Sequence, residues 1–144
     1  MSAPSDPAVA AWRAVLSLVG WGSGRPPRFP GVAMELGLAP KQLGLIWRIE
    51  PGTTMAMGAI GESLFCDASY VTDLVDKLEQ RGLIERLPSP DDRRVKLIGL
   101  TPDGEKLRVR ALELLYEPPR EFANLSEDEM SQLSKLLTKA VSTP

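Results

Sequence analysis

The side chains best suited to chemistry lie between Cys66 and Lys96. Ser69, Tyr70 and Thr72 bring two short hydroxyls and a phenol, groups that reach base edges and phosphates at close range. On the helix read below, Asp73 and Lys77 lie on the same face as these three. A carboxylate at Asp73 weakens attraction for a polyanion unless it accepts from a cytosine amino group. Asp92-Arg93-Arg94 and then Lys96 place three cations beside turn residues. Such a group grips phosphates, or sends one guanidinium into a narrow minor groove. Seven acids stand against six bases over residues 67 to 96, and the whole chain carries a formal charge of -2. Attraction for a nucleic acid must therefore come from local placement of charge.

Other chemistries lack their residues. The 144-residue sequence has no histidine, which removes the commonest general base and the commonest metal ligand together. No metal-ligand cluster and no glycine-rich phosphate loop stands out, so neither catalysis nor a cofactor is expected. A single cysteine excludes an internal disulfide and fits a reducing, cytoplasmic setting. Cys66 stands just before a helix cap, where a small packing residue is the expected role. The opening residues lack the pattern of an export signal, and no apolar run approaches the roughly 18 residues that cross a bilayer.

The elements that would position these groups are mainly helical. Ser5-Asp6-Pro7 starts a helix with Val9, Trp12, Leu16 and Val19 on one face. Residues 22 to 31, rich in glycine and proline, read as a loop. Pro40 opens a second helix, with Leu43, Ile46 and either Ile49 or Trp47 inward, closed by Pro51-Gly52. Thr53 or Thr54 is expected to cap a third, whose apolar face is Met57, Ile60 and Leu64. Gly58 and Gly61 inside it mark tolerated strain or a close backbone approach. Asp67 caps a fourth helix with Val71, Leu74, Val75 and Leu78 inward and Gly82 as its stop. Residues 83–87 and 95–100 form a hairpin around Pro88-Ser89-Pro90-Asp91-Asp92. Thr101-Pro102 starts a further helix that runs to Pro118-Pro119. Ser126 to Glu129 is a capping box before a last stripe of Met130, Leu133, Leu137 and Ala140. Helix, tight connection, helix, hairpin is a winged helix-turn-helix order, with the second helix of the pair entering the major groove.

The stretch from Cys66 to Arg86 resembles the recognition helix and following strand of MarR-type transcriptional regulators. Pro88-Ser89-Pro90-Asp91-Asp92-Arg93-Arg94 and Leu100-Thr101-Pro102-Asp103-Gly104 look like that family's wing and its exit into a long helix. Leu38-Ala39-Pro40-Lys41-Gln42 resembles the start of its second helix. The resemblance implies a mainly α fold: a winged helix-turn-helix over 38–101, a dimerisation part over 1–37, and C-terminal dimerisation helices over 102–144. It implies a homodimer on a pseudo-palindromic operator in double-stranded DNA. Ser69, Tyr70, Thr72, Asp73, Lys77, Arg93, Arg94 and Lys96 would be its DNA-binding residues, with Asp92 bracing the wing through an arginine. It also implies release by a small aromatic or lipophilic effector between the dimer region and the winged domain. Trp12, Met34, Trp47 and Met57 are the candidates to line that pocket, with core or dimer packing as their competing role. Asp73 departs from the family pattern, where glycine or a basic residue is commoner, and Leu87 replaces a frequent basic residue. The competing reading is a winged-helix module that binds a protein instead of DNA.

Overall fold

The computed structural model describes residues 6–142. Its elements are α1 (Pro7–Leu18), α2 (Arg28–Glu35), α3 (Pro40–Arg48), β1 (Thr54–Ala56), α4 (Met57–Leu64) and α5 (Ala68–Gln80), followed by β2 (Ile84–Pro88), β3 (Lys96–Leu100), α6 (Pro102–Tyr116), a 3-10 turn (Arg120–Asn124) and α7 (Glu127–Val141). The chain divides into two compact units. One runs from Pro26 to Tyr116; the other joins the segment ending at Arg25 to the segment starting at Glu117.

The Pro26–Tyr116 unit is a winged helix, and its core is aliphatic. Leu43, Ile46 and Ile49 of the α3 region are fully buried, as are Val75 and Leu78 of α5 and Ile98 of β3. Each such side chain contributes roughly 1.5–3 kcal/mol by leaving water. Of the two residues the α3 pattern left open, Ile49 is buried and Trp47 only half-buried. The antiparallel sheet has the order β1-β3-β2. Ile84 pairs with Leu100 and Pro88 with Lys96, which sets the wing hairpin in register.

Local signals account for most boundaries. Asp6 caps α1 by accepting from the Ala8 amide at 2.8 Å, whereas Ser5 of the expected start lies outside the described residues. Gly82, at φ 72°, ends α5 in a Schellman arrangement. There the Leu83 amide donates to the Leu78 carbonyl and the Gly82 amide to that of Glu79. Ser126 and Glu129 cap α7 reciprocally, at 3.2 and 2.8 Å.

Two glycines are set by packing. A β-carbon on Gly61 would lie 3.1 Å from the Cys66 carbonyl oxygen and 3.4 Å from Val71 Cγ2, so glycine lets α4 and α5 approach. On Gly104 it would lie 1.9 Å from the Leu83 carbonyl oxygen. That same oxygen accepts from the Thr101 amide at 3.1 Å, which seats the start of α6 on the entry to β2. Thr101 completes the joint: its hydroxyl donates to the Gly82 carbonyl and accepts from the Gly104 amide.

The structure corrects two expectations. Residues 28 to 31 are not loop but the first turn of α2. Pro30 sits where the helix has no amide to satisfy, and burial of Val32 and Ala33 draws the turn inward. Neither Thr53 nor Thr54 caps α4. Thr54–Ala56 is strand, with Met55 opposite Ile98, because the free edge of β3 supplies backbone partners. Neither α1 nor α7, whose apolar stripes were assigned to dimerisation parts of the chain, has a buried residue. In the same unit Arg25, read as a loop residue, pairs with Glu121 at 2.7 Å and holds that carboxyl below its ordinary range. No helix among the described residues is long and apolar enough to cross a membrane.

Candidate nucleic-acid interface

The first turn of α5 is organised by Asp67. Its Oδ1 accepts from the Tyr70 amide and from the Ser69 hydroxyl, both at 2.8 Å. These bonds, the Tyr70 amide first, hold the Asp67 carboxyl below its ordinary range. Val71, Leu74, Val75 and Leu78 are buried, which leaves Ser69, Tyr70, Thr72, Asp73 and Lys77 exposed together on the outer face. The Thr72 hydroxyl donates to the Ala68 carbonyl at 2.9 Å. Both hydroxyl protons are thus used within the helix. What Ser69 and Thr72 present outward is oxygen lone pairs, acceptors suited to the amino groups of adenine or cytosine.

Charges along α5 are largely paired. Lys77 Nζ lies 3.0 Å from Asp73 Oδ2, and the hydrogen bond and charge of Asp73 raise the lysine pKa. Arg86 of β2 reaches across to Asp76 and, at 2.6 Å, to Glu79. The Asp76 hydrogen bond is the main cause of its raised pKa. This clamp fastens the helix to the strand that leads into the wing, and sequence reasoning missed it. Its signal was the spacing of Asp76 and Glu79, which puts two carboxylates on one helix face. Two further cations are spent on backbone carbonyls: Arg81 on Gly37 at 2.7 Å, and Lys41 on Leu64 at 2.8 Å.

The wing is a tight turn built on Asp92. Its carboxylate accepts from the Arg94 amide at 3.0 Å and from Arg94 Nε at 3.3 Å, and its carbonyl from the Val95 amide at 3.0 Å. The Arg94 side chain is 92% exposed. Arg93 and Lys96 are exposed as well, and among the described residues no carboxylate pairs with either. The turn therefore ends in guanidinium groups held outward by a backbone that Asp92 stiffens.

Of the four residues selected for an effector pocket, the three in the Pro26–Tyr116 unit have different surroundings. Met57 lines a space of about 740 Å³ between α4 and α5, beside Cys66 and Thr72. Trp47 instead lies under Arg108, whose guanidinium carbon is 5.2 Å from the ring centroid and whose Nη2 donates to the Trp47 carbonyl at 3.3 Å. Met34 is exposed on α2, and Trp12 belongs to the other unit. Cys66 is half-buried against the core, its thiol donating to the Leu64 carbonyl at 3.3 Å.

Comparison with known proteins agrees with this geometry. The MarR family model matches residues 38–96. The HTH-type transcriptional regulator YsmB of Bacillus subtilis is 33% identical over 101 residues, covering 69% of this chain and 68% of that protein. Across such relatives the matched stretch spans between 54% and 70% of their length. Among solved structures, YusO of Bacillus subtilis superimposes with a TM-score of 0.75 at 25% identity, over 97% of this chain and 100% of that one. A mutant MarR of E. coli, solved in complex with operator DNA, has the same fold, with a TM-score of 0.60 at 23% identity over 96% of this chain and 100% of that one. From its core match, its relatives and its winged unit, the chain belongs to the MarR family of transcriptional regulators.

Proposed function

We propose that the chain acts as a homodimeric, sequence-specific regulator that holds two halves of a pseudo-palindromic operator. One observation carries this reading: the polar face of α5 stands open while its other face is buried, and Arg86 clamps that helix to the strand entering an arginine-tipped wing. Ser69, Tyr70 and Thr72 read base edges, with Asp73 and Lys77 beside them. Arg93, Arg94 and Lys96 neutralise phosphates, and Asp92 keeps the wing in shape. The segment 38–101 makes the contact, and helices within 1–37 and 102–144 supply the dimer. Support for the dimer comes from apolar side chains left in water, among them Trp12 at 60% and Leu136 at 65% exposure. A small aromatic or lipophilic effector that favours another separation of the two winged domains shifts the population off DNA. The work is binding rather than catalysis, and its place is the cytoplasm.

Selection of bound sequences from random duplexes tests the proposal. The expected result is an inverted repeat with half-site centres about 34–36 Å apart or a multiple of that spacing. Sedimentation should give twice the 15.7 kDa chain mass. No enrichment at low salt would refute the regulator and favour the protein-binding module, to which the excess of acids over bases in residues 67 to 96 also points.

A further inference from the structure

Of the proposed DNA-contacting residues, Thr72 is the one that lines the space between α4 and α5. We propose that this space binds a lipophilic organic cation. Its volume of about 740 Å³ lies within the about 300–1,000 Å³ of small-molecule sites. The lining is mostly apolar, and Glu62 is its only charged side chain. Among the described residues no cation pairs with that carboxylate, since Lys41, the base that reaches this end of α4, is held on the Leu64 carbonyl.

Two residue choices are unexplained by folding, although the left-handed turn at Phe65 itself closes α4, the Phe65 amide donating to the Glu62 carbonyl at 3.3 Å and the Cys66 amide to that of Gly61 at 2.9 Å. Phe65 lines the same space with its backbone left-handed at φ 54° and its side chain 94% exposed. A bulky residue there strains the chain and gains no burial in return. Gly58 also lines it, and an added β-carbon would meet nothing within 4 Å. Unlike Gly61, it is required by no neighbour, yet glycine is a poor helix former. A bare floor at Gly58, an aromatic ring at Phe65, a polarisable thioether at Met57 and an unpaired carboxylate at Glu62 together suit an ammonium or phosphonium with an apolar body. An anion of the same shape gains the same apolar contact but is repelled by Glu62.

Calorimetry on the full chain with tetraphenylphosphonium, and with tetraphenylborate as the anion of matching shape, tests the site. The phosphonium should bind once per chain with Kd in the range of about 1–100 μM, and the borate about tenfold or more weaker. Glu62→Gln should weaken the phosphonium about fivefold or more, as should loss of the ring in Phe65→Gly. Phe65→Gly should melt no lower than the parent, because no buried contact is lost. Gly58→Leu, which fills the floor, should abolish binding while helix content is kept. Absence of saturable phosphonium binding, equal binding of the borate, or undiminished affinity in Glu62→Gln overturns the proposal. Thr72 lines the same space, so on the regulator reading an occupied site and a DNA contact at Thr72 exclude each other. The phosphonium should then release a random-sequence duplex from the parent chain but not from Gly58→Leu. Release that persists in Gly58→Leu overturns the coupling. A chain that binds the cation but no duplex overturns the regulator reading and leaves the site standing.

Discussion

Replacing Arg94 by alanine isolates the electrostatic part of the proposed DNA contact. The side chain is 92% exposed, so its loss removes no core packing. Asp92 accepts from the Arg94 backbone amide as well as from its guanidinium, so the turn survives the change. Non-specific binding to duplex DNA follows phosphate neutralisation, with log K falling against log salt by about 0.9 per contact. If Arg93, Arg94 and Lys96 each meet one phosphate, a dimer makes about six contacts and has a slope near -5.4. Arg94→Ala in both chains brings this to about -3.6, and at 0.1 M salt the loss is roughly 60-fold relative to a 1 M reference. Asp92, left without its guanidinium near phosphates, adds to the loss rather than offsetting it. Anisotropy of a labelled random 30-mer duplex from 50 to 300 mM KCl, with circular dichroism as the folding control, measures both quantities. An unchanged slope, or a loss of affinity independent of salt, would refute the assignment of the wing.

Three other outcomes are expected. Asp73→Ala frees Lys77 from its partner at 3.0 Å; if the freed lysine meets one phosphate per chain, non-specific duplex binding should tighten by roughly 60-fold at 0.1 M salt, with a slope steeper by about 1.8. A fall in operator binding instead would make Asp73 a base reader. Gly104→Ala would set a β-carbon 1.9 Å from the Leu83 carbonyl oxygen. Against a helix-propensity gain of at most about 1 kcal/mol, the displaced α6 start should cost about 2–4 kcal/mol in urea unfolding; equal or greater stability would show the joint to be soft. Asp67 has a folded-state pKa below its unfolded value, so its stabilising contribution is present above the unfolded value and lost as pH falls through the folded one. The melting temperature should therefore drop more steeply below about pH 4 in the parent than in Asp67→Asn; parallel curves would remove Asp67 as a cause.

Much of the site could be read from the sequence because its signals are local. The 3.6-residue stripe of Val71, Leu74, Val75 and Leu78 also says which face of α5 stays open. That face holds Ser69, Tyr70 and Thr72, and the structure exposes all three. Asp67, Gly82 and Thr101 mark element ends through bonds spanning one turn or a tight connection. The missed parts depend on distant partners. A three-residue strand such as β1 has no period to detect and exists only because β3 offers an edge. The prolines that suggested a loop before Val32 are tolerated because they fall at the start of α2.

By itself, the sequence determined the apolar faces of the helices, the turn that carries Arg93 and Arg94, and the lack of histidine. These depend on residue type and on spacings of a few positions. Tertiary structure alone decided that Arg86 spends its charge on Asp76 and Glu79, and that Gly61 and Gly104 admit a neighbouring backbone. It alone left a space beside Glu62 and Phe65 open. Periodicity says which side of an element is apolar but not what lies against it; pairing of charges and closeness of backbones are set only when elements far apart in the chain meet.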